Sequence, residues 1–489
     1  MNPTFTIKAL LASIVLCAAI MSSNSYAAAH PERRGIGVSG FTKEDFPPEV
    51  KAAQEVKKPP IKIDARRSLF VTEKEVLQAF TFSDVMDTLA KRADANLTKE
   101  KLFNDWWANA AVSSDASIGC GPVGTANNTL LSQFGFDYLC PRAEGGETAA
   151  GAFAAGSDEG YFPIALANRF DLASSRKEGA LDCGEYRIVF ARRSGATKSN
   201  RRNFIIFEAV LPNPAPGKVT GCQPIVAIWA SLSQESDPKK RAAILRDFYF
   251  NGIPAQKVAP VISPAHYGSA TNGVKGQIRT NQFIHFGTGF DSPWVLREFA
   301  FVNDGALSRI SPNSVKANPP SSLFVGASRS FQAKLFQDDF IVTSVETLTA
   351  PSINSMHMAI EDRNNAAESR VDGTMVNFES AAQGNTLFKN RIAAVKRVTD
   401  TKLSAEEVLR RASALTCAGC HQEPNNADLG GNLKWPSSLG FVHTSESAPE
   451  TDPGLPPSFL ISPALKEFLK FRQCLTEKFL RRDWRQVCK

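Results

Sequence analysis

The sequence predicts an α+β protein: a large, mixed, β-rich N-terminal part followed by a small all-α module. Three observations predict it. Between Tyr161 and about residue 346 lie β-branched and aromatic runs bounded by Gly, Pro and Asn. A helical pattern precedes them, and two capped amphipathic patterns close the chain. At 489 residues, with 43% hydrophobic and 21% charged residues, the chain can bury a sizeable core. That composition excludes disordered, collagenous and coiled-coil classes. No repeat with a period of 20–50 residues argues for a propeller or solenoid.

Taken in order, residues 1–29 read as a signal peptide. Lys8 gives the positive start, Ala9 to Met21 the apolar run, and "SYAAAH" the small residues for cleavage after Ala27 or Ala29. Cys17 belongs to the discarded segment. Residues 30–65, rich in Pro, Lys and Glu, read as an extended lead-in. The expected mature chain is exported, periplasmic or secreted, with no transmembrane segment.

Residues 66–400 form the expected mixed domain. Thr72 to Glu75 predicts a capping box, with Val76, Leu77, Phe80, Val85 and Leu89 on one helical face. Glu100 to Ala111 predicts a second short helix, and Gly145 to Gly160 a loop. Residues 185–191, 203–210, 277–286 and 294–302 predict strands, with a helix over 238–250 between them. "SLFVGAS" and "DDFIVTSV" extend the β-rich zone to about residue 346. Residues 350–400 are polar and helical in parts.

The module over 402–489 starts with a capping box at Ser404 and Glu407. Val408, Leu409, Ala412 and Leu415 then run along one face into Cys417. "NNADLGGNLKWPSSLG" and "TSESAPETDPGLPPS" read as irregular. The last helix has Ser462 as N-cap and Pro463 at its first position, with Leu465, Phe468, Leu469, Leu475 and Phe479 as its stripe.

The net charge of +7 is mild for this length. Basic clusters such as Lys239 to Arg246 read as solvated faces, so no nucleic-acid partner is expected. Of nine cysteines, Cys17 leaves with the signal. Proximity pairs Cys120–Cys140, Cys183–Cys222 and Cys474–Cys488, each disulfide contributing roughly 3–4 kcal/mol.

Cys417, Cys420 and His421 spell Cys-x-x-Cys-His, the attachment signature of c-type haem. Two intervening residues let both thiols reach one edge of the macrocycle from one turn, and the adjacent histidine faces the iron. The alternatives are a metal site using Cys417, Cys420, His421 and His443, a Cys417–Cys420 disulfide, or chance.

With a helix before the motif and an amphipathic helix at the end, residues 402–482 resemble the class I cytochrome c module. The resemblance implies one haem c on Cys417 and Cys420, with His421 as proximal ligand. It also implies a methionine further on, and none follows His421. His443, the only later histidine, is the expected distal ligand to haem iron. Met356, His357 and Met358 are second candidates, and an open site is the third possibility.

In the large domain, His266 and His285 read as loop and strand residues without chemistry. Arg169, Asp171, Glu185 and Arg187 read as paired charges that can shape a polar cleft. Trp106, Trp107 and Trp294 read as core. No phosphate loop, dinucleotide fingerprint, nucleophile elbow or His-Glu-x-x-His helix occurs.

The functional expectation is a monohaem electron-transfer protein with a redox partner protein or small-molecule donor. Its upstream domain handles substrate or docking. The other classes are a haem enzyme acting on peroxide, oxygen or substrate (an oxidoreductase), and a haem-free secreted binding or structural protein.

Overall fold

A computed structural model describes residues 62–107, 148–268, 276–283, 294–303, 308–326, 330–370, 377–398, 402–421, 424–482 and 488. The expected signal peptide, most of the lead-in, His285 and the Cys120–Cys140 pair lie outside the described residues.

The chain is built on an antiparallel sheet of eight strands. These are β1 (Phe70–Val71), β2 (Tyr161–Arg169), β3 (Asp182–Arg192), β4 (Asn203–Pro212), β5 (Gln277–Gln282), β6 (Val295–Asn303), β7 (Ser308–Asn313) and β8 (Glu368–Arg370). β1 to β7 pair in chain order, and β8 pairs with β6. The four predicted strands coincide with β3 to β6, although β5 ends at Gln282 and residues 284–286 of the predicted 277–286 strand lie outside the described residues. β2 joins them despite Pro163, because the register shifts between Pro163 and Ala165. A bulge is where a strand tolerates the missing amide donor.

Alternation separates the sheet's two faces. Tyr186, Ile188, Phe190, Ile205, Phe207 and Ile278 point into an apolar core. Against that face pack the helices α1 (Phe82–Ala93), α2 (Lys99–Trp107), α3 (Gln223–Ser231) and α4 (Pro238–Asn251). Phe82 sits at the aromatic centre, with ring centroids 5.1–6.3 Å from Phe103, Phe153, Tyr161, Phe190 and Phe207. Trp106 and Trp107 lie in this core, as expected.

Three local expectations need correction. The box at Thr72 does not cap a helix: the Thr72 hydroxyl accepts from Arg66, and its carbonyl accepts from Phe459. A single turn, Lys74–Leu77, forms there, and α1 starts afresh at Thr81, whose side chain accepts from the Asp84 amide. The Gly- and Ala-rich stretch contains a short helix, Ala149–Phe153, capped by Thr148. "DDFIVTSV" belongs largely to helix α5 (Phe331–Thr343), not to a strand. Ser330 caps it, and Ala333, Phe336 and Phe340 recur at helical spacing toward a second core.

That second core also takes α6 (Ala405–Ala414). The last helix, α7 (Pro463–Arg481), starts at Ser462 as expected. The all-α expectation for 402–489 is corrected: β9 (Thr444–Pro449) and β10 (Phe459–Ile461) form an antiparallel pair there. The Pro-, Asp- and Gly-rich sequence between them is a hairpin loop rather than an unstructured stretch. Both cores draw residues from each side of position 402: Val442, Phe459 and Phe479 join the first, and Leu409 and Trp435 join Phe324 and Phe388 in the second.

Disulfides join Cys183 to Cys222 and Cys474 to Cys488. Among the described residues no helix is long and apolar enough to cross a membrane.

Candidate functional site

The motif begins where α6 ends. Ser404 and Glu407 form the expected capping box, and Val408, Leu409 and Ala412 are fully buried. Arg411 locks the helix in place. Its buried guanidinium donates to the carbonyls of Leu348, Ala350, Leu429 and Gly430 at 2.8–2.9 Å. Thr416 then turns the chain, donating to the Ser413 carbonyl and accepting from the Gly419 amide. Gly419 is required at this turn, because a Cβ there would lie 1.7 Å from the Ser413 oxygen.

Two contacts tie the turn to the sheet. The Ala418 amide donates to Ser369 Oγ on β8 at 3.2 Å, and Cys417 Sγ lies 3.8 Å from the Lys316 carbonyl. Cys417 is buried at 4% exposure, and Cys420 is half-buried. Neither is bonded, although four cysteines elsewhere are paired.

His443 enters from the loop before β9. Its Nε2 is 3.6 Å from Cys420 Sγ, and its Nδ1 is 2.8 Å from Ser462 Oγ, the cap of α7. The His421 and His443 rings stack with centroids 4.7 Å apart. Trp294 lies 5.8 Å from His421 and stacks on Phe441. His421 Nδ1 is buried without a hydrogen-bond partner.

Burial decides the charge state of all four groups. It pushes the Cys417 thiol up to about 12 against the pull of Arg279, and Cys420 up to about 11 against Arg169 and Arg472. It holds His421 well below its ordinary value, with His443 and Arg279 adding to the effect. It takes His443 down to about 4, helped by Arg472, Arg187 and Arg169. The pair is therefore neutral near pH 7, the state in which imidazole ligates a metal.

Cys417, Cys420, His421 and His443 line one cavity. It measures about 250 Å³ to the centre of a water-sized sphere, and about 1750 Å³ as atom-free space counted with its mouth. These measures bracket the roughly 300–1,000 Å³ usual for cofactor pockets. The polar face of the sheet lines the same cavity through Arg169, Glu185 and Arg187. These residues, read from sequence as paired charges, thus share the motif's cavity.

Sequence reasoning missed Glu208, Gln277, Arg279, Lys316 and Arg472, which line it too. A weak signal existed: Glu208 and Arg279 interrupt otherwise apolar or neutral strand runs. Register brings them together, with Arg187 opposite Glu208 and Arg279 opposite Glu298. Ion pairs follow at 3.0 and 2.9 Å, and Arg279 reaches Glu208 at 3.0 Å as well.

The other candidates lie elsewhere. Met356 and Met358 are fully buried in the second core, and neither they nor His357 line the cavity. His266 is buried with Nδ1 3.3 Å from the Val261 carbonyl. Among the described residues no three His, Cys, Asp or Glu side chains converge as a metal-ion ligand set.

No family model, curated protein or solved structure matches this chain. The chemistry of the cavity alone carries a functional reading.

The donor types present are those a covalently attached porphyrin would need, although the His421 and His443 rings are stacked on each other. Two unbonded thiols and two neutral imidazoles line one cavity, one imidazole nitrogen lacks a partner, and cationic side chains line the same cavity.

Proposed function

We propose that this chain is an exported, monohaem c-type cytochrome-domain protein that transfers electrons. In this reading Cys417 and Cys420 form thioethers with haem c and His421 is the proximal ligand. His443 is the distal ligand. The iron would supply a one-electron redox change. The chain's own residues set its surroundings: Trp294 and Phe441 exclude water beside His421, and Ser462 fixes the His443 ring through Nδ1. The two rings stack on each other in the structure, so His421 and His443 would have to separate to hold the group together. The charged wall contributed by the sheet is the part that would meet a substrate or donor.

One observation carries the proposal: both motif thiols are unbonded and share a cavity with His421 and His443, while the other cysteines among the described residues, Cys183–Cys222 and Cys474–Cys488, are paired. The test is co-expression with the haem-attachment machinery, followed by an absorption spectrum and a haem stain on a denaturing gel. A stained band that disappears in Cys417→Ala/Cys420→Ala supports the reading; a colourless wild-type chain overturns it. His443→Ala should change the spectrum of the loaded protein, and an unchanged one removes His443 from the iron.

A second reading, an oxidoreductase in which the iron acts on peroxide, oxygen or substrate, draws on the cavity's extension past the histidines to the charged wall. Ready binding of carbon monoxide by the reduced protein favours it over simple relay.

A further inference from the structure

The cavity's charges do not balance. Five cationic side chains face it: Arg169, Arg187, Arg279, Lys316 and Arg472. Four carboxylates pair with them. Glu185 and Glu208 take Arg187, Glu208 and Glu298 take Arg279, and Asp171 takes Arg169. Lys316 Nζ donates to Gln277 Oε1 at 2.6 Å.

Arg472 is left at the end of this series. Both Asp171 oxygens accept from Arg169, so the Asp171 carboxylate reaches Arg472 only as a 3.6 Å ion pair. Arg472 Nε is buried without a hydrogen-bond partner, on a residue 8% exposed. A buried guanidinium that lacks hydrogen bonds is costly, and a carboxylate is the group that best satisfies its planar fork.

We propose that Arg472, backed by Arg169, is the carboxylate-binding group of this cavity, seating one carboxylate of a small ligand beside Cys420 and His443. The inference needs the cavity but not the haem. A free organic acid and a porphyrin propionate present the same chemistry, and the experiment separates them. Burial, followed by the like charge of Arg169, pulls Arg472 down to about 9, which leaves it cationic near pH 7 and ready for an anion.

The probe is benzoate, with neutral benzamide as control, titrated calorimetrically into the full chain. Saturable binding of benzoate but not benzamide is expected, weakened on the order of tenfold or more in Arg472→Gln. That result assigns a free acid. In a haem-loaded protein that ignores benzoate, a shift of reduction potential in Arg472→Gln assigns the propionate instead. Equal benzoate binding by wild type and variant overturns the proposal, as does the absence of both effects. If Arg472→Gln does not fold, the wild-type chain still decides. Benzoate or bound haem should protect Arg472 from phenylglyoxal, mapped by mass spectrometry, and unprotected labelling sinks the idea. A chain that stays colourless after co-expression with the attachment machinery, yet binds benzoate through Arg472, keeps this inference and removes the haem reading.

Discussion

The two faces of the central sheet are made by the same strands and are held by opposite physics. On β3, Tyr186, Ile188 and Phe190 go to one side, and Glu185, Arg187 and Val189 go to the other. The first face is stabilised by apolar area and aromatic packing, which are non-directional. The second depends on register, since Arg187 meets Glu208 and Arg279 meets Glu298 only in the pairing observed. Buried charges seldom add net stability over apolar residues of equal volume, but breaking a pair is expensive. The polar face is thus weakly explained by stability alone, and it lines the cavity that holds the Cys-x-x-Cys-His motif.

Perturbing each face should expose this difference. Glu208→Gln removes the charge shared by Arg187 and Arg279 and should cost about 3–5 kcal/mol, read as a lower urea midpoint at unchanged slope. Phe82→Ala on the apolar face should cost a similar amount, about 3–5 kcal/mol, from lost contact with five rings. The two separate on rescue. Arg187→Met, Glu208→Leu and Arg279→Met combined should recover the loss from Glu208→Gln, while no distant change restores Phe82→Ala. Failure of the triple variant to recover would mean that the charges are structural and not reserved for a ligand.

A third, smaller effect concerns the hairpin beside the cavity. Burial would raise the Glu450 carboxyl, but the hydrogen bond and charge of Arg66 outweigh it, with help from Lys466, and hold it at about 2. The folded value lies below the unfolded one of 4.5, so this stabilisation is complete above pH 4.5 and is lost as pH falls through 2. Unfolding midpoints followed from pH 6 to pH 2 should fall by the equivalent of about 1–2 kcal/mol more in wild type than in Glu450→Gln. The smallest effect is Ser404→Ala, which removes a cap from α6 at a cost of about 1 kcal/mol. It should move thermal unfolding by a few degrees at most.

What the sequence made legible follows the same division. β3 and β4 could be read because branched and aromatic residues alternate between Gly- and Asn-bounded ends. The α6 and α7 starts could be read because their caps are local. β2 could not, since Pro163 argues against a strand unless a bulge is known to absorb it. The Ile341 and Val342 run of α5 carries no period of its own, so its apolar character suited strand and helix alike. Of the site, the motif and His443 were visible, and so were Arg169, Glu185 and Arg187 as a charged group. Their meeting with Glu208, Arg279 and Arg472 was not, because it is made by strand register and by the docking of α7.

The depth of Cys417 bears on the order of events. The residue is 4% exposed and its sulfur lies 3.8 Å from the Lys316 carbonyl, so a reagent meets it through the cavity it lines. Its packed neighbours Trp294, Leu296, Val315 and Phe441 come from both sides of the motif in the chain, so these segments close around it together. Under the proposed haem reading, attachment and folding would be coupled in time, and a chain that closed first would take up the group more slowly than one still open.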